Sequence, residues 1–227
     1  IISYLLHDKY LNIIWLVKIM KNIKAIDYLI KSDLKLGRFI DFFNKNNFEL
    51  NDDYKKESEF LSLVRIIIGQ QLSISAANSI FSRFTNKYGE NIEVLNIENN
   101  LFEDLLSLGL SKTKTNTILE VSYLIKEDSI NLKNISMLEE KEAKEILCSI
   151  KGIGPWTVEN FLLFSGNNDD ICPANDLGIK KGLKIIYNLN DLPKDEEVYQ
   201  IAEKWKPFRS IASRYIWEII DQKISFV

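Results

Sequence analysis

Two cysteines, one histidine, four prolines and nine glycines in 227 residues leave several architectures without materials. Cys148 and Cys172 are too few for a disulfide framework or a four-cysteine iron–sulfur cluster. A lone histidine, His7, leaves a protein-built zinc site short of ligands. With so little glycine and proline, the many turns of an all-β chain have no punctuation. A bilayer-length apolar run is also missing: the stretch over residues 10–20 is too short to span and carries Lys18. No small-residue cleavage site follows it, so it is not read as a signal peptide. These absences point to an intracellular chain, off the membrane and without a tightly bound transition metal. Ile1 rather than Met at the first position leaves the true N-terminus open. A net positive charge is lacking too. A net charge of −3 means that any surface for nucleic acid must be local.

What the chain has in quantity is apolar periodicity. At 46% hydrophobic residues it can bury a sizeable core, and long segments of helical period make all-α the expected class. Residues 1–50 read as two or three short helices, with Asp33 placed to cap one over 34–43. Leu36, Phe39, Ile40 and Phe43 form a helical stripe that belongs to the core. A polar segment over 44–56 separates this part from a main domain over 51–227. Residues 57–69 form a helix so apolar that burial on several faces is expected. Gly69 stops it, and Ser73 can cap the next helix, whose Ile74, Ala77, Ile80, Phe81 and Phe84 lie on one face. Between them, Gln70 and Gln71 are either a solvated turn or two amides presented on a rigid loop. Further on, Ser111 caps a helix with Lys112 and Lys114 in its first turn, against the usual acidic preference there. Either both are solvated, or an anion such as phosphate sits between them.

The most informative stretch begins at Lys151 and reads K-G-I-G-P-W-T. Gly152 and Gly154 permit tight geometry and close approach of another backbone. Ile153 anchors the turn, and Pro155 suits the first position of a helix. The result is a helix N-terminus with no side chain in the way of a phosphate. A bare G-x-G is weak, but with helices on both sides it describes a helix–hairpin–helix. Twenty residues after Trp156, Asp176 heads another helix. It is a good N-cap, and the same position favours a negative charge that could stabilise a cation. In the last long helix Phe208, Ile211, Tyr215 and Ile219 make one stripe, and Trp217 lies off it. That indole is either packed against another element or lines a cleft.

Five motifs in order, G-Q-Q-L-S at 69–73, G-L-S-K-x-K at 109–114, K-G-I-G-P-W-T at 151–157, C-P-A-N-D-L-G at 172–178 and W-K-P-F-R-S…Y-I-W at 205–217, together resemble one family. The chain looks like the 3-methyladenine DNA glycosylase II branch of the helix–hairpin–helix glycosylases. The resemblance spans about residues 58–222 and implies a two-lobed all-α fold with an active-site cleft between the helical parts. It implies a monomer acting on damaged double-stranded DNA, in prokaryotic cytoplasm or a eukaryotic nucleus. The reaction implied is hydrolysis of the N-glycosidic bond of alkylated bases, leaving an abasic site. By position, Asp176 matches the catalytic aspartate, and Trp156, Trp217 and Asn160 fall around the base pocket. Gly152, Gly154, Lys151 and Lys112 match the phosphate grip, and the wedge falls among Gln70, Gln71 and Leu72, with Gln71 preferred. No cofactor is required, but carbonyls of Cys148, Ile150 and Ile153 fall where members hold a monovalent cation, Na+ or K+.

The departures from the pattern are also informative. Bifunctional members place a lysine where this chain has Trp156, so the resemblance implies hydrolysis without lyase chemistry. The cysteine cluster of the endonuclease III branch is absent, and Asn160 stands where some members carry an aromatic. A β-rich N-terminal extension found in some members is not evident. The alternatives are the same reaction on deaminated or mismatched bases, a non-catalytic DNA-binding module, and a helical protein-interaction scaffold.

Overall fold

A computed structural model describes residues 22–50, 57–90, 92–95, 101–165 and 168–226. The apolar run over 10–20 and the second half of the polar segment over 44–56 lie outside the described residues. All regular structure among the described residues is helical, as the periodicity predicts. Helix α1 covers residues 22–32. It is followed by α2 (Leu34–Lys45), α3 (Glu59–Gly69), α4 (Ile74–Tyr88), α5 (Leu101–Ser107) and α6 (Lys112–Lys126). Then come α7 (Leu132–Ile135), α8 (Glu140–Leu147), α9 (Pro155–Ser165), α10 (Leu177–Tyr187), α11 (Asp195–Ala202) and α12 (Arg209–Asp221). No described helix is long and apolar enough to cross a membrane.

Two compact units share the chain. One runs Asn51–Pro173, and the other joins the described residues up to Leu50 with those from Ala174 onward.

In the first of these, α3 is the central helix. Ser58 caps it, its hydroxyl accepting from the Leu61 N–H at 3.1 Å. The helix starts two residues later than the sequence predicts because Ser58, at φ −65° and ψ 156°, is its extended N-cap. Phe60, Leu61, Leu63, Val64, Ile66, Ile67 and Ile68 are all buried, and α3 packs against α4, α6, α7 and α9. Full burial of each such side chain contributes about 1.5–3 kcal/mol. Ser73 caps α4 as expected, accepting from the Ala76 N–H. The apolar stripe of α4 is covered only over its second half: Phe81 and Phe84 are buried, but Ile74 is 57% exposed. Of the face that the sequence places there, only the part at Phe81 and Phe84 is thus buried.

The second unit is organised around α2, α10 and α12. The stripe Leu36, Phe39, Ile40 and Phe43 is buried, with Phe43 edge-on to Tyr215 at 5.2 Å. Asp33 caps α2 as predicted, its Oδ1 accepting from the Lys35 and Leu36 N–H groups at 3.1 and 3.3 Å. Ile179, Leu183 and Ile186 of α10 and Ile211, Tyr215 and Ile219 of α12 are all buried, and α10 packs directly against α12.

Candidate active site

The turn between α8 and α9 is built by the residues its sequence predicts. Cys148 ends α8, the Ile153 N–H donates to the Ile150 carbonyl at 3.1 Å, and Pro155 opens α9. Ile153 is buried, while Lys151 and Gly152 are exposed. Gly152 has φ +95° and lies against Thr117, leaving no room for a Cβ. The Thr117 hydroxyl donates to the Lys151 carbonyl at 2.9 Å and pins the turn to α6. Gly154 is different. Among the described residues, a Cβ there would meet nothing within 4 Å, so no contact among them demands glycine. Below the turn the Lys144 ammonium bridges Glu140 at 2.5 Å and the buried Glu159 at 2.7 Å, joining α8 to α9. Burial works against that ammonium, but bonds to the two carboxylates outweigh it and raise its pKa.

The glutamine loop is not a plain solvated turn. The Gln70 amide donates to the Gly152 carbonyl at 3.1 Å and to the Thr157 hydroxyl at 2.9 Å. Gln70 is thereby tied to the hairpin, leaving Gln71 and Leu72 as the exposed members of the trio. Gln71 holds φ +56°, a left-handed conformation uncommon for a residue with a side chain. The pair Lys112 and Lys114 also separates. Lys112 is exposed, whereas the Lys114 ammonium donates to the Ile68 and Gln70 carbonyls at 2.8 and 2.7 Å. The reading of an anion held between the two lysines is corrected accordingly. Burial lowers the Lys114 pKa from the ordinary lysine value.

In the other unit Asp176 is the N-cap of α10, and its Oδ1 accepts from the Ile179 N–H at 2.9 Å. Trp217 supplies a second donor: its indole N–H reaches the same oxygen at 2.8 Å. The open choice for Trp217 thus resolves to a contact with the aspartate itself. Two glycines one turn apart make this possible. A Cβ on Gly178 would lie 2.8 Å from Trp217 Cδ1 and 2.9 Å from Asp176 Oδ1. A Cβ on Gly182 would lie 2.5 Å from the Ile216 carbonyl oxygen. The pattern G-I-K-K-G at 178–182 is therefore a seat for α12, and sequence reading passed over it. The available signal was two glycines in a helix interior, each costing about 1 kcal/mol relative to alanine unless packing needs it.

A Gly178→Ala substitution is expected to push the indole off the carboxylate. Overpacking costs about 1–3 kcal/mol, and alanine's helix preference returns up to about 1 kcal/mol, so folding should survive. A change in tryptophan emission with a retained unfolding transition checks this. An unchanged spectrum contradicts it.

The remaining predicted residues divide. Trp156 is half-buried in the first turn of α9. Asn160 is buried at 5% exposure and its amide donates to the Trp156 carbonyl at 2.8 Å, so its visible role is within α9. Among the described residues no group of three His, Cys, Asp or Glu could hold a metal ion.

Residues 64–208 match the family model for the HhH-GPD superfamily base excision DNA repair protein. DNA-3-methyladenine glycosylase 1 of Schizosaccharomyces pombe is 34% identical over 175 residues, covering 76% of this chain and 77% of the relative. The putative DNA-3-methyladenine glycosylase YfjP of Bacillus subtilis is 29% identical, covering 72% of this chain and 60% of its own length. Among solved structures, the S. pombe 3-methyladenine DNA glycosylase Mag1 in complex with abasic DNA superposes with a TM-score of 0.77 at 30% identity. That match covers 89% of this chain and 98% of Mag1. The helical fold agrees with these matches, and the chain belongs to the HhH-GPD superfamily of base excision DNA repair proteins, in its 3-methyladenine DNA glycosylase branch.

Proposed function

We infer that the chain is a monofunctional DNA glycosylase that removes alkylated bases from duplex DNA. The observation that carries this reading is the Asp176 carboxylate, fixed at a helix N-terminus by the Ile179 N–H and the Trp217 indole. A carboxylate held by two donors on one oxygen has a set orientation before substrate arrives, as electrostatic catalysis needs.

The chemistry follows from the leaving group. A base alkylated on a ring nitrogen carries positive charge, so when its bond to the sugar breaks it departs neutral with the bonding pair. The sugar becomes oxocarbenium-like, and Asp176 opposes that charge, following the electrostatic logic of glycoside hydrolysis. Water then adds its oxygen to the anomeric carbon and loses a proton, leaving an abasic site. Trp156 offers an aromatic face to the cationic base, worth about 0.5–2 kcal/mol by cation–π attraction. Reaching the base requires flipping it from the stack, which costs a few kcal/mol and least for damaged bases. Exposed Gln71 and Leu72, with Ile74 beyond them, are assigned to the gap left behind.

The hairpin grips the backbone in this reading. Gly154 supports it, since open space rather than an internal contact accounts for the missing side chain. Backbone contacts carry no sequence information, as a repair enzyme requires. The carbonyls of Cys148, Ile150 and Ile153 are neutral oxygen donors, a set that suits a hard monovalent cation better than a transition metal. Na+ or K+ bound there would add positive charge beside the phosphate-binding turn.

The test is direct. The protein is incubated with methylated duplex DNA and abasic sites are counted with time. Release of methylated purines, with duplex binding that weakens as salt rises, is the expected result. Duplex binding with no base release would make the chain a binding module and overturn the reading.

A further inference from the structure

The loop Gln70–Leu72 and the hairpin are held by one closed set of polar contacts, and α6 supplies two of its links. Lys114 and Thr117 lie three residues apart, on one face of that helix. Lys114 donates to the Ile68 and Gln70 carbonyls at 2.8 and 2.7 Å. Thr117 donates to the Lys151 carbonyl at 2.9 Å. Gln70 closes the circuit, its side chain reaching the Gly152 carbonyl at 3.1 Å and Thr157 at 2.9 Å.

Each link has a physical reason. The last carbonyls of α3 have no intrahelical partner, and a cation at a helix C-terminus is favourable. Gln71 sits in the left-handed region at φ +56°. Such a conformation persists only where neighbours over-determine it. Here the Gln70 carbonyl is held by Lys114 on one side, and the Leu72 N–H donates to the Gly69 carbonyl at 3.2 Å on the other.

We propose that Lys114 is a positioning residue, which sets the Gln70–Leu72 loop for insertion and, through Gln70, couples it to the hairpin. Resting on the glycosylase reading, this assigns Lys114 to base flipping rather than to phosphate binding. Without its ammonium the loop becomes mobile, and inserting it must then include the entropy of ordering it.

Two measurements on Lys114→Met separate this proposal from the activity it serves. Hydrogen exchange of the Leu72 amide reads the brace without DNA. It should accelerate at least ten-fold, and unchanged exchange overturns the proposal whatever the enzyme does. With a duplex carrying one methylated purine beside 2-aminopurine, the fluorescence rise on flipping and the single-turnover excision rate should each fall at least ten-fold. Affinity for undamaged duplex should stay within two-fold, and Lys114→Arg, with its forked donors, should restore most of the loss. A matching loss of undamaged-duplex affinity, with a salt dependence shallower by about one phosphate contact, would make Lys114 a phosphate ligand and overturn the proposal. Should Lys114→Met not fold, Gln70→Leu removes the circuit's other link, to the Gly152 carbonyl and Thr157, and normal flipping by that variant overturns the proposed coupling of loop to hairpin. If wild-type protein releases no methylated base while Leu72 exchange still responds, the glycosylase reading fails and the brace stands.

Discussion

Replacing Asp176 with asparagine is expected to slow base release by about 10²–10³-fold, equivalent to about 3–4 kcal/mol of transition-state stabilisation. The change removes one charge and little else. Asparagine caps helices about as well as aspartate, and its side-chain oxygen can still accept from the Ile179 N–H and the Trp217 indole. Stability should therefore move by less than about 1 kcal/mol. The measurement pairs the rate of abasic-site formation on methylated duplex with a thermal unfolding curve of each protein. Equal release by wild type and Asp176→Asn would remove Asp176 from the chemistry and leave it a cap. A large fall in both rate and melting temperature would mean that the charge serves folding first.

The second large effect concerns stability. Asp33 is buried at 3% exposure yet receives four donors. Oδ1 caps α2 through the Lys35 and Leu36 N–H groups, and Oδ2 accepts from the Tyr187 hydroxyl and from the Trp205 indole at 3.3 Å. Tyr187 lies at the end of α10, and its own carbonyl accepts from Lys35 at 2.8 Å. Burial and then the bond to Asp33 raise the Tyr187 pKa, so this hydroxyl stays a donor. Asp33→Ala leaves two buried donors unsatisfied, at about 1–3 kcal/mol each, and removes a cap worth about 1 kcal/mol. The expected loss is about 3–7 kcal/mol, a large share of the 5–15 kcal/mol typical of a folded domain. Denaturant unfolding measures it. A loss below about 1 kcal/mol would show that water or a shifted side chain satisfies Tyr187 and Trp205. Asp33→Asn should fall between, since one amide cannot accept from both pairs of donors.

Much of this was legible in the sequence because it depends on short-range chemistry. Ser58 aside, the caps at Asp33, Ser73, Ser111 and Asp176 were all visible, since capping is local and depends on residue type. The hairpin was visible for the same reason: glycine at φ +95° and proline at a helix start leave a mark in the letters. What escaped were contacts between residues far apart in the chain. Lys114 reaches carbonyls 44 and 46 positions away. Trp217 reaches Asp176 across 41 positions. Nothing in the spacing of K-T-K told a phosphate ligand from a cap on another helix. The return of the chain at Ala174 to the unit that holds α2 left no compositional trace either, because Pro173 and Ala174 sit within one motif. Periodicity marked the apolar face of α4, but periodicity does not say how much of a face is covered.

The bare flank of α10 has a mechanical consequence. At Gly182 both the Ile216 carbonyl oxygen and its Cγ2 would lie 2.5 Å from an added Cβ, so Ile216 of α12 is seated directly on the bare backbone of α10. A join of that kind has almost no lateral play. Sliding or rolling α12 would lift it out of the recess before any rotamer could adjust. The 2.8 Å indole–carboxylate contact is accordingly set by the seating of one helix on the other.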